Sequence, residues 1–181
     1  MLETLSIIGE KVNKMNISWG VGGSLLLSFH KLIDKPNDID ILVDEKNVDP
    51  FNSILSQIGK TKEAIHSDPF KTVYFSKYSI DSVDIDLMGG FAIQHNEGMY
   101  KLSFNEESVV AHKTINGVEI PLCSLEDWYI LYWLIPGKQE KAILIENYLM
   151  DVGVTYPRFL EAALKQPLPY EVKERVKKLL S

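Results

Sequence analysis

Two stretches decide how this chain folds: Trp19-Gly20-Val21-Gly22-Gly23-Ser24 and Asn37-Asp38-Ile39-Asp40-Ile41-Leu42-Val43. The first predicts a short apolar strand, entered from Ile17, that runs into a glycine turn and ends on a hydroxyl. Ser24 opens the apolar run Leu25 to Leu32 as the N-cap or first-turn residue of a helix. Pro36 and Asn37 break the chain, and Asp38 to Val43 then reads as a strand. Side chains at i and i+2 of a strand share a face, so Asp38 and Asp40 project together, roughly 6–7 Å apart. Asp84-Ile85-Asp86, within the strand pattern Val83 to Met88, repeats the arrangement.

If the two acidic strands are neighbours, their carboxylates converge, and like charges raise one another's pKa. Mg²⁺ relieves this, because it takes a few carboxylates and fills its other positions with phosphate oxygens and water. Two such ions, about 3.5–4 Å apart, hold the attacking and leaving oxygens of an in-line displacement. Gly22, Gly23 and Ser24 supply the other half. Glycine lets backbone N–H groups approach an anion, and a helix start adds partial positive charge. Ser24 could bond a β- or γ-phosphate. Singly, each motif has a plainer meaning: a turn and helix cap, or a solvated strand edge. Their spacing, one crossover helix apart, carries the functional reading.

The rest of the chain frames these motifs. Leu2, Leu5, Ile8, Val12 and Met15 predict a helix over residues 2–15. A second helix is expected from about Asp49 to Ile58, with Pro50 in its first turn and Gly59 past its end. Thr72 to Phe75 reads as a strand, and Gly89-Gly90 ends Val83 to Met88. Asn116-Gly117 predicts a hairpin between Val109–Ile115 and Val118–Pro121. From the capping box Ser124-Leu125-Glu126-Asp127 onward the pattern is helical. One helix stops at Pro136-Gly137; others run from about Gln139 to Met150 and Pro157 to Lys165, before a basic amphipathic tail, Tyr170 to Leu180.

A mixed α+β catalytic domain over residues 1–122 is therefore expected, with a helical substrate or interaction segment over 123–181. Trp128, Tyr129, Tyr132 and Trp133 read first as core, although a ring facing a cleft could stack on a base. Lys71 and Lys77 read first as solvated lysines, although either could meet phosphate, and His30 and His112 as surface or satisfied histidines.

Composition narrows the function classes. The chain has 181 residues, 45% hydrophobic and 24% charged, which fits an ordinary globular protein. A net charge of −6 argues against an extended nucleic acid as partner, since phosphate contacts need a basic footprint. The single Cys123 forms no internal disulfide, and four scattered histidines give no zinc-ligand pair. The N-terminus lacks the pattern of a secretory signal, and no apolar run nears the ~20 residues of a membrane helix. A cytoplasmic protein without a membrane partner is expected.

The quoted motifs resemble the signature of the DNA polymerase β-type nucleotidyltransferase superfamily. The likeness is to small bacterial members: aminoglycoside and lincosamide nucleotidyltransferases and abortive-infection toxins. It is good over residues 17–88 and looser elsewhere. The resemblance implies the nucleotidyltransferase fold, a short mixed sheet flanked by helices. It implies that Gly22, Gly23 and Ser24 hold the triphosphate and that Asp38 and Asp40 bind Mg²⁺. It implies a third carboxylate as ligand or general base, with Asp84 as first choice and Asp86 as competitor. The implied reaction is transfer of a nucleoside monophosphate from an NTP, ATP among them, to a hydroxyl, with release of pyrophosphate. A small-molecule acceptor is expected ahead of a protein side chain or an RNA end, and a homodimer is compatible with the sequence.

The helical half departs from the superfamily pattern. Ser124-Leu125-Glu126-Asp127-Trp128 resembles its helix start, but Tyr132 stands near an expected Lys, and Lys141-Ala142 near an expected Lys-Asp pair. Lys141 remains a phosphate ligand in this reading. The departures motivate a rival reading, a non-catalytic member acting by protein–protein contact, as in a toxin–antitoxin pair. A Mg²⁺-dependent phosphohydrolase is a third.

Overall fold

The computed structural model describes all 181 residues. Helix α1 (Leu2–Val12) precedes strand β1 (Trp19–Gly22), helix α2 (Gly23–Phe29) and strand β2 (Ile39–Val43). Helix α3 (Val48–Ile58) leads into β3 (Lys60–Lys62), β4 (Tyr74–Ile80) and β5 (Val83–Gly89). Two hairpins follow, β6 (Phe91–His95) with β7 (Gly98–Leu102), and β8 (Val109–Ile115) with β9 (Val118–Cys123). Helices α4 (Leu125–Leu134), α5 (Gln139–Val152), α6 (Pro157–Leu164) and α7 (Tyr170–Leu180) complete the chain.

Seven strands form one mixed sheet in the order β3-β4-β5-β2-β1-β9-β8, and β6-β7 form a separate ribbon. β1 is antiparallel to β2, β2 is parallel to β5, and β4 returns antiparallel to β5. The two acidic strands are thus neighbours. Register aligns one residue per strand into a row across the sheet: Gly22, Asp40, Asp86, Lys77 and Lys62. Paired residues share a face, so this row places acids and bases side by side.

The Asn116-Gly117 turn forms as its sequence predicts, with φ of 50° and 77°. The Thr72–Phe75 strand does not; β4 begins at Tyr74 and runs on to Ile80. Its turn to β5 uses Asp81 and Ser82, both at positive φ, without the glycine that usually signals such a turn. The ribbon β6-β7 has no counterpart in the sequence-based expectation.

Ser124 caps α4 by accepting a hydrogen bond from the Asp127 N–H at 3.0 Å. Every residue from Leu125 to Tyr132 is buried. A helix apolar on all sides belongs inside the molecule, and α4 does so: one hydrophobic cluster joins Val21, Ile41 and Ile85 of the sheet to Trp128, Ile145 and Val176 of the helices. Glu126, buried in α4, accepts from the Thr155 and Tyr156 N–H groups at 3.0 Å each, fixing the entry to α6. No helix is long and apolar enough to cross a membrane.

Candidate active site

The row of paired residues opens into a cleft of about 310 Å³ between the sheet and helices α4 and α5. Asp38, Asp40 and Asp86 meet there, each offering a carboxylate oxygen within 4.8 Å of the others. β2 begins only at Ile39, so Asp38 lies outside the ladder. Ser24 holds this approach: its buried Oγ accepts the Asn37 N–H at 2.9 Å.

Asp84 does not join the group. It pairs with Ser79 on β4, one full pleat away from the row of Asp40 and Asp86. Its side chain is exposed and accepts from Lys62 Nζ at 2.8 Å, which lowers its pKa. Asp86 occupies the position the sequence reading offered first to Asp84. The two share a face, as alternation requires, but only one faces the partner acids. Strand register decides between them, and one sequence does not contain it.

The electrostatics are those of crowded, partly buried acids. Burial, then Asp38 and Asp86, push the Asp40 carboxyl well above the usual carboxylate range. Burial raises Asp86 too, against the opposing effect of Lys77. Lys77 Nζ stands 3.2 Å from Asp86 Oδ1 and 3.3 Å from Oδ2. Even so, Oδ1 is buried and accepts no hydrogen bond of good geometry. Lys141 approaches from α5, its Nζ 5.4 Å from the centre of the Tyr132 ring. Burial and Lys138 lower its pKa, while Asp40 and Asp38 raise it. Three converging carboxylates that two lysines leave under-compensated fit a divalent cation by donor type and charge.

The glycines earlier read as a phosphate cradle also have tasks within the site itself. A Cβ on Gly22 would collide with the indole of Trp128, so this glycine lets α4 lie on the end of β1. Gly23 has φ of 61°, and a Cβ there would strike the Asp40 carboxylate. Both residues keep the cleft narrow enough for Trp128 and Asp40 to share it. Ser24 is buried at the second position of α2 with its Oγ turned to Asn37, and its hydroxyl proton stays free to donate.

Several cleft residues carried no sequence signal: Phe70, Phe75, Met88 and Phe91, brought together by β4, β5, the unforeseen ribbon and the segment before β4 that bridges to it. Lys77 pairs with Asp86 beside them. Trp128 and Tyr132, 5.3 Å apart between ring centroids, line the opposite wall while remaining core residues.

Comparison with known proteins agrees with this geometry. A family model described as aminoglycoside-2''-adenylyltransferase matches residues 4–146. Curated protein sequences give no match. Among solved structures, a candidate nucleotidyltransferase of Thermotoga maritima is 24% identical, with a TM-score of 0.63, covering 83% of this chain and 92% of that one. ANT(2'')-Ia in complex with adenylyl-2''-tobramycin is 16% identical, with a TM-score of 0.57, covering 89% and 97%. The lincosamide adenylyltransferase LnuA, lincomycin-bound, is 14% identical, with a TM-score of 0.52, covering 80% and 95%. The structural likenesses establish the nucleotidyltransferase fold, and the match over most of its length establishes that the chain belongs to the aminoglycoside-2''-adenylyltransferase family, a family of nucleotidyltransferases.

Proposed function

We propose that the chain transfers a nucleoside monophosphate from an NTP to an acceptor hydroxyl and depends on Mg²⁺. The observation that supports this most is the convergence of Asp38, Asp40 and Asp86, each offering a carboxylate oxygen within 4.8 Å of the others. In this reading these three hold the metal, which when bound neutralises phosphate charge and orients the triphosphate. Lys141 and the start of α2 at Gly22, Gly23 and Ser24 take the β- and γ-phosphates. Asp86 accepts the proton of the acceptor hydroxyl, whose oxygen forms a bond to the α-phosphorus as the bond to pyrophosphate breaks. Residues 1–122 carry the acids and the start of α2, and residues 123–181 supply Lys141 and the opposite wall.

The intact acidic group speaks against a non-catalytic member acting only by protein contact. ATP is the first nucleotide to test. Calorimetry of wild type should show ATP binding that requires Mg²⁺, and Asp38→Asn and Asp40→Asn should each weaken it at least tenfold. Metal-dependent binding that survives both substitutions would remove the site assignment.

A further inference from the structure

The acceptor side of the cleft has a chemistry of its own. Apart from Asp38, Asp40 and Asp86, no residue lining the cleft is acidic. The lysines divide it. Lys138 and Lys141 stand on the helical wall with Trp128 and Tyr132, where an anionic triphosphate is attracted. The sheet wall, on the Asp86 side, is formed by Phe75 and Met88 of the sheet, Phe91 of the ribbon, and Ile65, His66 and Phe70 of the loop between β3 and β4. Its rings are ordered against one another: His66 meets Phe75 edge-on at 6.2 Å, and Phe70 meets Phe91 at 6.4 Å. Ile65 leaves 69% of its surface exposed at the rim. Lys77 closes this side, its Nζ 5.5 Å from the Phe75 ring centre.

A polyamine acceptor needs carboxylates to pair its ammonium groups, and burying an unpaired charge is costly. Here every cleft carboxylate is assigned to the metal, and the cation on the acceptor side, Lys77, is already paired with Asp86. An aromatic and aliphatic wall with a few polar atoms is instead the usual lining of a site for apolar small molecules. We infer that the acceptor is a hydroxyl compound with an uncharged, apolar or aromatic body, and not a polycationic aminoglycoside of the kind the family name suggests. The inference rests on the nucleotidyl-transfer reading, because that reading assigns the acids to metal and the helical wall to nucleotide.

The test uses the full chain loaded with Mg²⁺ and α,β-methylene-ATP at about 0.15 M salt, where surface charge effects are largely screened. Two probes are titrated and followed by ligand-observed NMR: 4-biphenylmethanol and tobramycin. The uncharged alcohol should bind saturably and at least tenfold more tightly than tobramycin. Ile65→Asp, at an exposed position that folding tolerates, should shift this preference toward tobramycin by at least threefold, and Phe75→Asp should shift it further. Tighter binding of tobramycin to wild type, or no saturable binding of the alcohol to the nucleotide-loaded chain, overturns the inference alone. Failure of α,β-methylene-ATP to bind with Mg²⁺ overturns the nucleotidyl-transfer reading and the acceptor assignment with it.

Discussion

Replacing Gly23 by alanine tests the closest fit in the proposed site. Two costs fall on one added methyl group. The backbone has φ of 61°, a left-handed conformation that costs an L-residue roughly 1–2 kcal/mol. The new Cβ would also lie 2.7 Å from Asp40 Cγ, whereas ordinary contact begins at 3.4 Å, so the carboxyl carbon must retreat by at least 0.7 Å. Overpacking of this kind adds roughly 1–3 kcal/mol. At about 2–4 °C per kcal/mol for a chain of this size, the melting temperature should fall by roughly 4–20 °C.

The displacement matters more for activity than for stability. A 1 Å misplacement of a reacting group can cost about a hundredfold in rate. Pyrophosphate release by Gly23→Ala, measured where the variant is folded, should therefore drop roughly ten- to a hundredfold. Gly117→Ala is the control. Its φ is 77° and no atom lies within 4 Å of the added Cβ, so it carries backbone strain without a clash, and it sits in the β8-β9 turn. It should lose stability and keep its turnover. If Gly23→Ala stays within about threefold of wild-type kcat/KM, the argument that Gly23 is glycine for the sake of Asp40 is wrong.

Two further predictions separate neighbouring acids by their surroundings. Asp86→Asn should lower pyrophosphate release at least a hundredfold, the lower range for loss of a general base, while Asp84→Asn should stay within about threefold; equal losses would return Asp84 to the site. Asp127 gives a pH dependence remote from the acidic group. Burial, with Glu126 adding, raises its carboxyl to about 7. The folded state therefore binds more protons than the unfolded one between about pH 4 and 7, so Asp127 lowers stability as pH rises through that window. Asp127→Asn should be more stable than wild type at pH 8, by up to about 4 kcal/mol, with the gain vanishing near pH 4. Chemical denaturation at both pH values measures it, and a gain that does not depend on pH would contradict the assignment.

The parts of the fold legible in the sequence are those whose cause is local. Asn116-Gly117 announces its hairpin because only such residues take two positive φ values cheaply. Ser124 announces α4 because its hydroxyl satisfies an amide three residues on. Pairing Asp38 with Asp40 follows from strand alternation alone. What was not legible depends on register and on contacts distant along the chain. Asp84 and Asp86 are equivalent on their own strand, and only pairing with β2 and β4 sets Asp86 beside Asp40 and Lys77. The β4-β5 turn was hidden because Asp81-Ser82 lacks glycine. The apolar sheet wall was hidden because its residues come from separate segments, each of which reads as ordinary core.

The departures in the helical half can be understood through the same distant contacts. The superfamily pattern to which the sequence is similar places a lysine near position 132, and this chain has Tyr132 there. The pattern's second lysine, at the start of the next helix, is present as Lys141, and it reaches over from α5 to the Tyr132 ring. A cation over a tyrosine face is held by the ring quadrupole, and the hold strengthens as water is excluded. Tyr132 is itself buried, so the ring cannot swing away and release the ammonium. Burial works against the charge on Lys141, and Asp40 and Asp38 work for it. The acids proposed to hold the metal thus also help keep the proposed phosphate ligand cationic. Of the two lysines in the pattern the chain keeps the one that opens α5, and the aromatic ring standing in place of the other lies against its ammonium.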